Sequence, residues 1–221
     1  MPKRSPVLAI ANSKGGVGKS TLATNLAAEA ATEGLQVLLV DTDPQASSTV
    51  FAATRGEDRP AFRVVQMTKA ILHRELPQLS EPYDLVIVDT GARDTSTFRS
   101  AIAAASLVLV PVTPSAYDIW ASEDVFTVID ELAVTRDDLE VRVVLNQVIP
   151  RTRIAREALE ALGELTEEQN AQILETRVHS RVAWKMASSD GLSVSEWEPR
   201  GAAADELRAL WRELRALLDL P

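Results

Sequence analysis

Five short apolar runs punctuate the chain: Val7–Ala11, Val37–Val40, Leu85–Val88, Leu107–Val112 and Val141–Leu145. None alternates with polar residues, which predicts strands of a parallel sheet covered on both faces. Helical spacing fills the intervals. Thr21–Glu33 is rich in alanine and leucine and is followed by Gly34, a natural stop after a last turn. Ala101–Ala105 and Glu123–Leu132 also read as helices. Strand–helix alternation predicts βαβ units and an α/β class, a twisted, mostly parallel sheet flanked by helices. No internal repeat or low-complexity linker breaks the pattern, so one domain is expected over residues 1–221.

The C-terminal stretch ADELRALWRELRALLDLP places Leu207, Leu210, Trp211, Leu214, Leu217 and Leu218 on one helix face. Asp205, Glu206, Arg208, Arg212, Glu213, Arg215 and Asp219 occupy the remainder. A helix lying on a membrane favours a basic polar face, and this mixed one fits a helix docked on the sheet.

Composition narrows the chemistry. With no cysteine among 221 residues, disulfides, thiol catalysis and cysteine-ligated clusters are excluded. Two histidines, His73 and His179, argue against a histidine metal site. The basic-then-apolar N-terminus imitates a secretion signal, but Val7–Ala11 is too short for one and a glycine-rich motif follows at once. A cytoplasmic protein is expected. The net charge of −9 repels nucleic acid, so any DNA contact requires a local basic patch.

The motif is NSKGGVGKST, residues 12–21, between a predicted strand and a predicted helix. It fits G-x-x-x-x-G-K-[ST] with Ser13 in the place of the first glycine and Lys14 directly after it. Glycines let successive backbone N–H groups converge on phosphate oxygens, and the helix N-terminus adds its positive end. Gly15, Gly16, Val17 and Gly18 form the predicted cradle. Lys19 neutralises the β- and γ-phosphates, Ser20 offers a hydroxyl to Mg²⁺, and Thr21 supports the α-phosphate.

KGGVGKS resembles the deviant Walker A box of the ParA/MinD group of P-loop ATPases. The resemblance implies ATP and Mg²⁺ as ligands and assigns Lys14 to the phosphates of a partner subunit's ATP, so that nucleotide state sets oligomeric state. VLLVDTDPQASS, residues 37–48, is similar to the following acidic segment of that group. By that similarity Asp43 orients the attacking water and Asp41 lies close to the metal. Asp89 in DLVIVDTG occupies the place of the carboxylate that holds Mg²⁺ through water. The next residues, Thr90-Gly91-Ala92-Arg93-Asp94, depart from the proline pair of many partition ATPases, though Gly91 keeps a backbone N–H for the γ-phosphate. PVTPSAYD, residues 111–118, looks like the short ParF-type proteins without an N-terminal helix-turn-helix. Asn146 in VVLNQV stands where relatives set a polar residue against adenine; an asparagine at a strand end is otherwise a turn former.

The resemblance implies an ATP-dependent homodimer that binds DNA without sequence preference and positions a cargo, with hydrolysis stimulated by an adaptor protein. RVHSRVAWK, residues 177–185, supplies the candidate patch: Arg177, Arg181 and Lys185, spaced by four, share one face if the segment is helical. A solvated helix face is the competing reading. Arg151, Arg153 and Arg156 are weaker candidates because Glu157 and Glu160 follow. A MinD-like membrane-cycling ATPase and a small-molecule enzyme on the same scaffold are the alternatives. Membrane insertion is disfavoured by the mixed charge of residues 205–219, and the small-molecule enzyme by Lys14.

Overall fold

The computed structural model describes residues 5–92, 96–133, 136, 138–150, 152–169 and 171–221. Seven strands form one sheet: β1 (Val7–Ile10), β2 (Val37–Asp41), β3 (Arg63–Gln66), β4 (Leu85–Asp89), β5 (Leu107–Val112), β6 (Glu140–Val148) and β7 (Gln172–His179). Their order is β3-β2-β4-β1-β5-β6-β7, and every neighbouring pair runs parallel. The helices are α1 (Lys19–Thr32), α2 (Ser47–Thr54), α3 (Leu72–Leu79), α4 (Ser96–Ala104), α5 (Ala116–Ala133), α6 (Arg153–Glu168), α7 (Val182–Ser189), α8 (Val194–Trp197) and α9 (Ala202–Leu217).

Alternation along each central strand feeds two cores. Leu8, Ile10, Leu39, Ile87 and Leu109 pack with Leu22 and Leu26 of α1, Trp184 of α7 and Leu207, Leu210 and Leu214 of α9. Ala9, Val40, Val88, Val108 and Val110 face Leu72 of α3, Phe98 of α4, Phe126 of α5 and Leu162 of α6. Burial of both faces is why these strands read as unbroken apolar runs. Gly34 takes φ +91°, ending α1 as its sequence predicts.

All five expected strands are present. The two that lacked a signal, β3 and β7, lie at the sheet's edges, where one face meets solvent and charged residues interrupt the apolar pattern. The cations of residues 177–185 therefore require correction. Arg177 belongs to β7, Arg181 has extended backbone (φ −132°, ψ 144°) as the N-cap of α7, and only Lys185 is helical. A spacing of four matched a helix, but the chain changes from strand to helix in the middle of it.

The C-terminal helix docks as expected: Leu207, Leu210 and Leu214 are fully buried and Trp211 is 2% exposed. Leu210→Ala should cost about 2–5 kcal/mol of unfolding free energy in a urea titration with unchanged m value. A change below about 1 kcal/mol would contradict that packing.

Candidate functional site

The site forms at the carboxyl ends of β1, β2 and β4, where the strand order reverses around β1 and helices leave the sheet in different directions. Residues 12–18 bridge β1 and α1. Gly16 (φ +82°) and Gly18 (φ +94°) adopt backbone that side chains resist, and a Cβ on Gly18 would lie 2.3 Å from Asn146 Nδ2. The backbone N–H groups of residues 15 to 21 make no hydrogen bond within the described protein. Seven consecutive unsatisfied donors, lying in the loop and at the N-terminus of a 14-residue helix, form a cradle for an anion.

Lys19 is 7% exposed, and its Nζ donates to Lys14 O at 2.7 Å. Burial lowers its pKa, and the charges of Asp89 and then Asp43 oppose that shift. The ammonium is thus held inside the loop, desolvated and close to two carboxylates. Lys14 behaves differently. Its side chain is 40% exposed and ion-pairs with Asp118, whose second oxygen accepts the Thr113 hydroxyl. Lys14 N–H donates to Asn12 Oδ1 at 2.9 Å, which fixes the start of the loop.

Parallel register sets Asp41 beside Asp89 at the ends of β2 and β4, both fully buried. Their environments differ. Asp41 Oδ1 accepts Asp43 N–H (3.1 Å), and Oδ2 accepts Thr49 N–H (2.9 Å) and Oγ1 (3.0 Å). Its carboxylate is used to order the loop before α2. Asp89 Oδ2 accepts Ser48 Oγ at 2.7 Å, while Oδ1 has no hydrogen-bond partner among the described residues. Burial pushes the Asp89 pKa up to about 6, against the Ser48 and Ser20 hydroxyls and the charge of Lys19, with Asp41 adding to the rise.

An orphaned carboxylate oxygen with the Ser20 hydroxyl close by fits a hydrated Mg²⁺ shared with phosphate, since Mg²⁺ is held by one or two carboxylates rather than an all-protein cage. Asp89 suits that role, while Asp41, beside it in the register, is engaged by Thr49 and the Asp43 amide. Asp43 lines the cleft; its Oδ1 accepts Gln45 N–H at 2.9 Å.

Two further candidates already have partners within the fold. The Gly91 N–H donates to Thr42 Oγ1 at 3.0 Å and is not free for a γ-phosphate in this state. Asn146 lies at the cleft, but its Nδ2 donates to Val17 O (2.7 Å) and its Oδ1 accepts Gln147 N–H (3.0 Å), so its amide serves the loop. Arg93, Asp94 and Arg151 lie outside the described residues.

Above the loop the cleft encloses about 760 Å³, within the range of ligand pockets. Its far wall comes from β7 and α7, including His179, Arg181, Trp184 and Lys185. Glu206 of α9 accepts from both His179 Nδ1 (2.8 Å) and Arg181 (2.7 Å). Two of the three cations assigned to DNA thus border this cleft, and Arg181 is neutralised by a carboxylate. Arg153, among the weaker candidates, pairs with Glu157 at 2.5 Å. Pattern reading also gave no role to Ser48 and Asp118, which end the segments 37–48 and 111–118, or to Thr49.

Because burial raises the Asp89 pKa, the ligand-free fold prefers the protonated carboxyl. That stabilisation is present below about pH 4 and is lost as pH rises through about 6, amounting to at most about 3 kcal/mol. Unfolding titrations between about pH 4 and 7 should show this loss, and Asp89→Asn should remove it. Equal pH slopes in the two proteins would contradict the assignment.

The family model described as the CobQ/CobB/MinD/ParA nucleotide binding domain matches residues 8–194. A maintenance of carboxysome distribution protein A from Gloeobacter kilaueensis is 36% identical over 96% of this chain and 94% of its own. The chromosome-partitioning ATPase Soj of Thermus thermophilus is 30% identical over 95% of both chains. Among solved structures, a complex of Cyanothece McdA with ATP superposes with a TM-score of 0.82 at 17% identity, covering 99% of this chain and 98% of that one. The expectation of a P-loop fold of the ParA/MinD type agrees with all four matches. This chain belongs to the CobQ/CobB/MinD/ParA nucleotide-binding family.

Proposed function

We propose that the protein is a Mg²⁺-dependent ATPase that dimerises with ATP and positions or segregates a cargo, with hydrolysis accelerated by a partner protein. The observation that carries this reading is the run of seven unsatisfied N–H groups at residues 15 to 21, with Lys19 buried inside it and Lys14 at its outer edge. Polyphosphate is the ligand that satisfies such a set of donors.

In this reading the amides and Lys19 take the charge of the β- and γ-phosphates, and Ser20 and Asp89, the latter through water, hold the metal, with Asp41 close to it. A bound Mg²⁺ supplies further charge neutralisation on the transferring phosphoryl group. Asp43 orients the attacking water. Phosphoryl transfer asks little more of a protein than this positioning. Lys14 reaches a second subunit's nucleotide, exchanging Asp118 for the phosphates as its counter-charge. Slow turnover without a partner follows from the absence of any evident arginine finger in the loop sequence.

Two of the similar proteins carry names concerned with carboxysome distribution and chromosome partitioning, and both describe the placing of a cargo. A membrane-cycling role has less support. A surface-binding helix needs a free apolar face, and that of α9 is consumed by the core. No helix among the described residues is long and apolar enough to cross a membrane. Retention of Lys14 favours the positioning ATPases over small-molecule enzymes of the same family. In the DNA-bound form, Arg177 and Lys185 are the retained candidates for phosphate contact; both are exposed and neither has an ion-pair partner among the described residues.

Lys19→Ala should abolish ATP binding in a calorimetric titration. Lys14→Ala should bind ATP as the parent does yet remain monomeric by light scattering, and Asp43→Ala should accumulate as the ATP dimer. A Lys14→Ala protein that dimerises normally would refute the bridging role. ATP-dependent binding to DNA of arbitrary sequence should weaken steeply with salt, as phosphate contacts require. Salt-independent binding, or none with ATP, would remove DNA from the cycle.

A further inference from the structure

We propose that Gln147 is a positioning residue for the phosphate loop, its side-chain amide fixing the orientation of the peptide that joins Gly16 to Val17. The inference rests on the nucleotide-binding reading above and concerns a residue that carries no motif.

Gln147 stands in β6, just after the buried Asn146 and before the end of the strand. Its backbone is left-handed (φ +56°), one of three described non-glycine residues with positive φ. Such a conformation is unfavourable for a residue with a long side chain and persists when surrounding contacts over-determine it. Here the contacts are explicit. Gln147 Nε2 donates to Gly16 O at 2.7 Å, Asn146 Nδ2 donates to Val17 O at 2.7 Å, and Gln147 N–H closes on Asn146 Oδ1 at 3.0 Å. The left-handed turn therefore delivers two successive side-chain amides to two successive loop carbonyls.

Peptide planarity converts this into a statement about donors. In a trans peptide the C=O and the following N–H point in opposite directions. Holding Gly16 O and Val17 O against β6 turns the Val17 and Gly18 N–H groups away from it, and among the described residues neither reaches an acceptor at normal hydrogen-bond geometry. The fit is tight, as the 2.3 Å separation between a Cβ on Gly18 and Asn146 Nδ2 indicates. Without the Gln147 bond, the peptide after Gly16 is free to rotate, since Gly16 carries no side chain to resist it. Preorganised donors bind an anion without reorganisation, and a rotating peptide loses that advantage.

Gln147 also has neighbours on both sides of the loop. It lines the 760 Å³ cleft and, on the other side, a cavity of about 320 Å³ bordered by Lys14 and Asp118. Contact with the base is the competing role, and a ligand without a base separates the two.

The test compares the parent with Gln147→Met, which keeps the side chain's length and removes the donor, and Gln147→Gly, which removes the donor while relieving the backbone. Binding of ATP and of inorganic tripolyphosphate, each with Mg²⁺, is measured by calorimetry, with thermal melts of the ligand-free proteins as the folding control. Both variants should bind both ligands about tenfold more weakly, the loss of one directed hydrogen bond. Gln147→Gly should melt no lower than the parent, so a weakened ligand affinity in that variant is not a folding defect. Unchanged affinities in a folded variant would overturn the proposal, as would a loss confined to ATP, which would assign Gln147 to the base. A parent that binds neither ligand would instead overturn the nucleotide reading itself.

Discussion

The constraint on which the site depends is the hydrogen-bond deficit of residues 15 to 21. A buried amide without an acceptor is unfavourable; Gly15 and Gly16 are exposed, but Val17 and Lys19 are buried and Gly18, Ser20 and Thr21 are half-buried. Here the deficit follows from the sequence itself. Gly16 and Gly18 hold backbone that carries the chain around the loop, and α1 begins at Lys19 with no side-chain cap. Serine or aspartate at the helix N-cap would satisfy such donors from within the protein. Gly18 occupies that position instead, leaving them for a ligand.

The charges around the loop extend the same logic. Lys19 is held among Asp43, Asp89 and the carbonyl of Lys14, so the site tolerates a buried cation before any phosphate arrives. Asp41 and Asp89, adjacent in the sheet, differ: one is engaged by Thr49 and the Asp43 amide, the other keeps an oxygen without a partner among the described residues. The end of β6 supplies the remaining support, bracing the loop's carbonyls from behind with Asn146 and Gln147.

Much of this was legible in the sequence, for physical reasons. Central strands bury both faces, so Val37–Val40 and Leu85–Val88 could only read as interior sheet, and the loop announces itself because glycine and lysine spacing is dictated by phosphate geometry. Edge strands lack that signature, and β7 concealed itself further because Arg177, Arg181 and Lys185 happen to repeat at helical spacing. A different limit applies to Asn146: a polar residue at a strand end shows where it sits but not which neighbour it bonds, here Val17 O. Asp118 and Gln147 act through contacts with Lys14 and Gly16, far away in the chain, and local pattern does not show those contacts.

The most direct test is to follow the amide resonances of Gly15, Gly16 and Gly18 in ¹⁵N-labelled protein while adding Mg²⁺ with ATP, with tripolyphosphate, and with adenosine alone. Large shifts and slowed hydrogen exchange at these amides with both phosphorylated ligands, and none with adenosine, are predicted. Amides that stay unprotected when ATP is bound would contradict the account.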